Sequence, residues 1–116
     1  QSWNPATSQF EFDDNAIGDG VLLRTDVTVT TVVNNQGIEL GLRLAANSGT
    51  PFVLSMGRQE FQTAGVYQIV LPYWFYIGSA LTRDNGAEIV ARCDGVGSTV
   101  VVAGWALRTE PRVITV

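Results

Sequence analysis

The sequence predicts an all-β domain, an antiparallel sandwich or barrel of about eight strands. Three observations lead there. Period-two alternation of apolar and polar residues dominates the chain, turn-forming clusters recur every roughly 8 to 14 residues, and no stretch holds a helical period over three turns. At 116 residues the chain is the size of one domain, with a core burying roughly two-thirds of the unfolded surface.

The strands follow in order. From Val21 to Val33 one face reads Val21, Leu23, Thr25, Val27, Val29, Thr31, Val33, and the other carries Leu22, Arg24, Asp26, Thr28, Thr30 and Val32. This is a long strand with one mostly wet face. A turn at Asn34 to Gly37 leads into "GIELGLRLAA", with Ile38, Leu40, Leu42 and Leu44 on one side, and the pair reads as a hairpin. "PFVLSM" (Pro51 to Met56) forms the next strand, and the polar residues of "GRQEFQTAG" interrupt the pattern after it. Pro72 lacks an amide donor and is expected to separate "VYQIVL" from "YWFYIG" by a bend or bulge. Asn85-Gly86 suits a tight hairpin turn before "AEIVARC", and "DGVGS" (Asp94 to Ser98) reverses the chain into "TVVVAGWALR".

Residues 1–15 differ from the rest, because Trp3, Phe10 and Phe12 stand in a polar, proline-containing context. They read either as a first strand tucked onto its own domain or as an arm reaching a neighbouring subunit. The domain proper then covers residues 16–116.

Composition excludes several function classes. Eleven carboxylates against seven arginines and no lysine leave a net charge of −4, which disfavours a nucleic-acid backbone as partner. The uncharged, aromatic-rich segment Tyr67 to Gly78 is too short to span a bilayer, which takes about 20 apolar residues, so no membrane partner is expected. With no histidine in the chain, the usual general base and the commonest transition-metal ligand are both missing. Cys93 falls on the apolar side of its strand and reads as a core residue rather than a nucleophile. "DDNAIGDG" (Asp13 to Gly20) matches a calcium loop at Asp13, Asn15 and Gly18 but has Ile17 and Arg24 where further ligands belong, so a turn is expected and an irregular ion site is the alternative. Asp13, Asp14, Asp19, Glu60, Asp84, Glu88 and Asp94 could in principle supply a carboxylate pair for glycoside chemistry, but nothing in the sequence pairs them. No catalytic residue, metal or cofactor is expected.

The strongest functional signal is surplus apolar strand surface. Along Thr99 to Leu107, Val100, Val102, Gly104 and Ala106 alternate with Val101, Ala103, Trp105 and Leu107, so both faces are apolar. In the aromatic-rich segment Tyr67 to Gly78, Tyr73, Phe75 and Ile77 alternate with Trp74 and Tyr76. A two-sheet sandwich normally gives each strand one wet face, so such strands call for cover from another chain. Trp3, Phe10, Phe12, Trp74, Tyr76 and Trp105 are therefore expected at an oligomer or capsid interface.

The ordered pieces "GVLLRTDVTVTT", "IELGLRLA", "TAGVYQIVLPYWFYIG", "DNGAEIVAR" and "TVVVAGWALR" resemble the small β-jelly-roll modules of tailed-bacteriophage virions. The resemblance covers about residues 20 to 109 and lies in the strand-turn rhythm and a late Asn-Gly turn before an Arg-ending strand. It implies a jelly-roll-like sandwich with an extended N-terminal arm, and a non-enzymatic building block of the virion that forms dimers or trimers. As a capsid decoration or cement protein, it would clamp neighbouring major capsid protein subunits on the outer surface of the head. As a trimeric tail spike or fibre module, it would instead present Trp74, Tyr76 or Trp105 to a host glycan.

Overall fold

The computed structural model describes residues 3–95 and 97–110; the remaining positions, including the end of the 16–116 domain and Val96 of the "DGVGS" turn, lie outside the described residues. Eight strands and one helical turn follow in chain order: β1 (Trp3–Asn4), β2 (Gln9–Phe10), β3 (Gly20–Thr31), β4 (Gln36–Leu44), β5 (Phe52–Phe61), β6 (Gly65–Tyr76), α1 (Ala80–Asp84), β7 (Ala87–Cys93) and β8 (Thr99–Glu110). They build an antiparallel β-sandwich. The larger sheet runs β1-β2-β7-β4-β5 and the smaller β6-β3-β8.

β3 is the axis of the smaller sheet, and its alternation places side chains as the sequence predicts. Val21, Leu23, Thr25, Val27, Val29 and Thr31 point into the core and are at most 3% exposed, while Arg24 lies in solvent and Leu22, Asp26, Thr28 and Thr30 are half-buried. Opposite them, β4 contributes Ile38, Leu40, Leu42 and Leu44, each at most 2% exposed. Phe61, Phe75, Ile77 and Ala87 complete this core between the sheets.

The pairing is nested. β2 pairs with β7, β3 with β6 and β4 with β5, all antiparallel. Wrapping a long antiparallel hairpin of eight strands gives these pairs and a fourth, first with last, which is the jelly-roll scheme of two packed sheets. In this chain the fourth pair is replaced: β1 turns back to pair with β2, Trp3 opposite Phe10.

Several local expectations give way. β3 and β4 are not a hairpin, since they lie in different sheets; period two says which face of a strand is inward and leaves open which sheet it joins. The chain crosses between sheets at residues 32–35, with Asn35 in the left-handed region (φ 60). There the Asn35 amide donates to the Gln62 carbonyl at 3.1 Å, and the Ala64 amide donates to Asn34 Oδ1 at 2.9 Å, so two crossover loops hold each other. Pro72 does not break β6, whose register against β3 is continuous from Gly65 to Tyr76; β6 is an edge strand, where a missing amide costs no ladder bond. The polar residues after Met56 do not end β5, because a bulge opposite Leu40/Gly41 carries the strand on to Phe61, with Gly57 at φ 144. Asn85-Gly86 closes no hairpin: Ser79 caps α1 by accepting from the Thr82 amide, and only Gly86 takes positive φ, at 71.

The most consequential irregularity is in β8. Its register against β3 shifts so that Asp26 faces Gly104 while Val27 faces Val102, which leaves Ala103 unpaired. The extra residue inverts the alternation beyond it. Val100, Val102, Trp105, Leu107 and Thr109 thus share the inward face, opposite Val29, Val27, Thr25, Leu23 and Val21. Val101, Gly104, Ala106 and Arg108 face outward. Both faces between Val100 and Leu107 remain apolar, but their membership differs from that inferred by strict alternation: Trp105 and Leu107 join Val100 and Val102, and Gly104 and Ala106 join Val101.

Two substitutions test this core. Leu42, fully buried, is expected to lose about 2 to 5 kcal/mol of stability on Leu42→Ala. Among the described residues the buried Thr25 hydroxyl has no hydrogen-bond partner, so Thr25→Val is expected to raise stability by about 1 kcal/mol. Urea unfolding midpoints measure both, and a destabilised Thr25→Val would show that the hydroxyl is satisfied.

Candidate functional site

The residues expected at an interface fall into two groups at opposite edges of the smaller sheet. Phe12 belongs to neither and Phe10 only backs the first from within: each is 1% exposed within its own chain, where Phe12 packs against Phe75 with ring centroids 5.8 Å apart. They are core residues, and the described part of the N-terminal segment joins the larger sheet through β2 and β7.

The first group lies at the β8 edge. Trp3, Phe10 and Trp105 form a ring cluster, with centroid separations of 4.9 Å for Trp3 to Phe10, 5.4 Å for Trp3 to Trp105 and 5.0 Å for Phe10 to Trp105. Edge-to-face contacts of this kind stabilise by about 0.5 to 1.5 kcal/mol beyond area burial. Trp105 nevertheless stays 38% exposed and Val102 40%, although both face inward. The sandwich is open here, and a cleft of about 340 Å³ is lined by Trp3, Ser8, Phe10, Ile89, Val102 and Trp105.

The second group lies at the β6 edge. The inward residues Tyr67, Ile69, Leu71 and Tyr73 pack against the core, which answers for half of the aromatic segment. The outward row is uncovered: Val66 is 68%, Val70 52%, Trp74 58% and Tyr76 61% exposed. Trp74 and Tyr76 lie beside each other with centroids 6.2 Å apart, and the Trp74 ring packs over the backbone of Gly20. The neighbouring edge of the larger sheet adds Phe52 and Val53, 41% and 54% exposed. The middle of the outer face, on β3, is polar, with Arg24 Nε donating to Asp26 Oδ1 at 3.0 Å.

The ionisable groups are engaged in surface pairs. Arg43 donates to Glu88 at 2.8 Å, Arg92 to Glu39 at 2.7 Å, and Arg83 to Asp84 at 2.8 Å. Arg58 bridges Glu60 at 2.9 Å and Asp94 at 2.5 Å, over Gly37, where a Cβ would collide with Arg58 Nη2 and Asp94 Oδ2. The hydrogen bond from Arg58 holds the Asp94 carboxyl below its ordinary value of 3.8, helped by the Gly37 amide. In the Asp13 to Gly20 segment, Asp19 accepts from the Ala16 amide at 2.9 Å and from Asn15 Nδ2 at 3.4 Å, and the Gly18 amide donates to the Ile77 carbonyl at 2.7 Å. These bonds make a self-capped turn. Among the described residues no three His, Cys, Asp or Glu side chains come together as a metal site. Cys93 is a free thiol, half-buried and packed against the core.

The residues that strand alternation missed are Val66, Val70, Val102 and Ile89. The first two share the outward row of Trp74 and were readable from spacing. Val102 and Ile89 line a cleft created by a bulge and by a strand order that no local pattern encodes. The chain matches no protein-family model, no curated protein and no solved structure.

The Asp94 pair makes a pH prediction. A carboxyl whose folded pKa is lowered adds stability above its unfolded value, and that contribution is lost as pH falls through the folded value. Arg58→Met is expected to return the Asp94 midpoint toward 3.8 and to flatten the acid limb of stability against pH. Carboxyl chemical shifts through an acid titration provide the measurement; an unmoved midpoint would remove Arg58 as the cause.

Proposed function

We propose that this chain is a structural, non-enzymatic building block of a phage virion, a capsid decoration protein that self-associates and clamps neighbouring major capsid protein subunits on the outer surface of the head. One observation carries the reading. Uncovered apolar surface flanks β3 on both sides, at Val66, Val70, Trp74 and Tyr76 on one edge and at Val101, Val102 and Trp105 on the other. A clamp needs two contact surfaces, and a single patch would serve only a simple pair.

The energetics support use of these surfaces. Burying a few hundred Å² of apolar area contributes several kcal/mol at about 25 cal/mol per Å², before the cost of association. Monomeric proteins rarely leave large side chains such as Trp74 and Tyr76 exposed together without a partner. The phage setting rests on the strand-turn resemblance.

The alternative is a trimeric tail spike or fibre module that binds a host-surface glycan. The adjacent Trp74 and Tyr76 rings favour it, since they line a cleft of about 450 Å³ together with Tyr73, Ser79 and Thr82, and a sugar face stacks on exposed rings.

The double variant Trp74→Ser/Tyr76→Ser separates the readings. Under the decoration reading it lowers the assembly mass seen by sedimentation and weakens capsid binding by about tenfold or more, with the far-ultraviolet circular dichroism unchanged. Retention of the unaltered chain on a bacterial polysaccharide, lost in the variant, would favour the glycan module. A stable monomer that binds neither capsids nor polysaccharide would sink both.

A further inference from the structure

The outer face of the smaller sheet carries a charge pattern that complements its own reverse. β3 runs along the middle of this face, where Arg24 lies between Pro72 of β6 and Ala106 of β8, and Asp26 between Val70 and Gly104. Arg24 and Asp26 are joined at 3.0 Å, yet their side chains stay 59% and 40% exposed. That bond uses Arg24 Nε and Asp26 Oδ1. The Asp26 Oδ2 atom lies beside Gly104, 3.8 Å from where a Cβ would stand, so the β8 side of the pair is low and open to a flat partner.

We infer that this face is an isologous interface with a second copy of the chain, whose twofold axis lies in the plane of the face, perpendicular to β3, between Arg24 and Asp26. Charge complementarity selects that axis. It lays Arg24 of each copy over Asp26 of the other and closes a ring of four alternating charges. The other twofold in the plane runs along β3 and would lay Arg24 on Arg24 and Asp26 on Asp26, which repels.

The selected axis also sets β6 against β6. From the register of β6 on β3, Val70 comes over Pro72 of the second copy, Trp74 over Gln68 and Tyr76 over Val66. The row of Val66, Val70, Trp74 and Tyr76, more than half exposed at each position, is thereby covered by its own counterpart. On the β8 side, Arg108, opposite Leu22, comes over Val101. Three strands about 4.8 Å apart and about 35 Å long outline about 500 Å² on each copy, so a pair buries about 1,000 Å² or more, which suffices for a specific contact. The apolar row supplies affinity, and the charge ring sets orientation, because desolvation offsets much of the attraction of a covered ion pair. The inference deepens the self-association in the proposed function and rests on that part of it alone, since it holds whether or not the chain comes from a virion.

Charge reversal read by sedimentation of the full chain tests it. The unaltered chain is expected to sediment as a dimer, and Arg24→Glu and Asp26→Arg are each expected to weaken dimerisation about tenfold or more. An equimolar mixture of the two variants is expected to regain the dimer, because every introduced charge then faces its opposite. That rescue also shows that both variants fold. A chain that stays monomeric up to about 0.1 mM overturns the inference, and one that nonetheless binds capsids leaves the decoration role standing. A dimer that neither reversal weakens overturns it as well and moves self-association to another surface. Two weakened variants that fail to recover on mixing overturn the assigned axis and the inference with it.

Discussion

The packing of β3 against β4 across the sandwich is the interaction on which the structure depends. Six alternate positions of β3 and four of β4 meet with almost no exposure, and each of these strands is the inner member of its sheet, paired on both sides. Every other strand is positioned by a ladder to one of these two or by a neighbour so placed. Because the inward rows are mostly Val, Leu and Ile at period two, with Thr25 and Thr31 among them, neither strand can slip by one residue without exposing its whole row. That constraint anchors the register from which the bulges in β5 and β8 depart.

Unequal sheets follow from that arrangement, and the functional surfaces follow from unequal sheets. Five strands on one side and three on the other cannot cover each other at the margins. At the β6 margin the outward row of a well-formed strand stays bare. The β8 margin is different in kind, because there the gap lies between the layers and its exposed residues point inward. One surface is a face that another surface could lie against; the other is a slot between the layers. Trp3, Phe10 and Trp105 keep the slot from collapsing, since three rings in mutual contact hold β1, β2 and β8 at a set separation.

Reading from sequence succeeded where a residue's fate depends on its near neighbours. The all-β class, the inward rows of β3 and β4, and the solvent exposure of Trp74 and Tyr76 all come from two-residue periodicity, which reports the environment of one strand's faces. It left Phe10 and Phe12 open between a tucked first strand and an arm, because their cover comes from distant strands. It failed along β8, where a bulged Ala103 moves Trp105 to the same face as Val102, and a bulge in a run of small apolar residues leaves no mark in the pattern. The acidic residues were legible as a group without chemistry, yet the bridging of Glu60 and Asp94 by Arg58 required three strands to be placed side by side.

What the amino-acid order alone determined is the all-β class and the orientation of most strand side chains, because alternation and turn chemistry act over a few residues. Only the tertiary structure decided which strands share a sheet, that β1 pairs with β2, and that a cleft opens beside β8. Those outcomes rest on contacts between residues as much as a whole chain apart, whose strength depends on the joint packing of two layers and is written in no single segment.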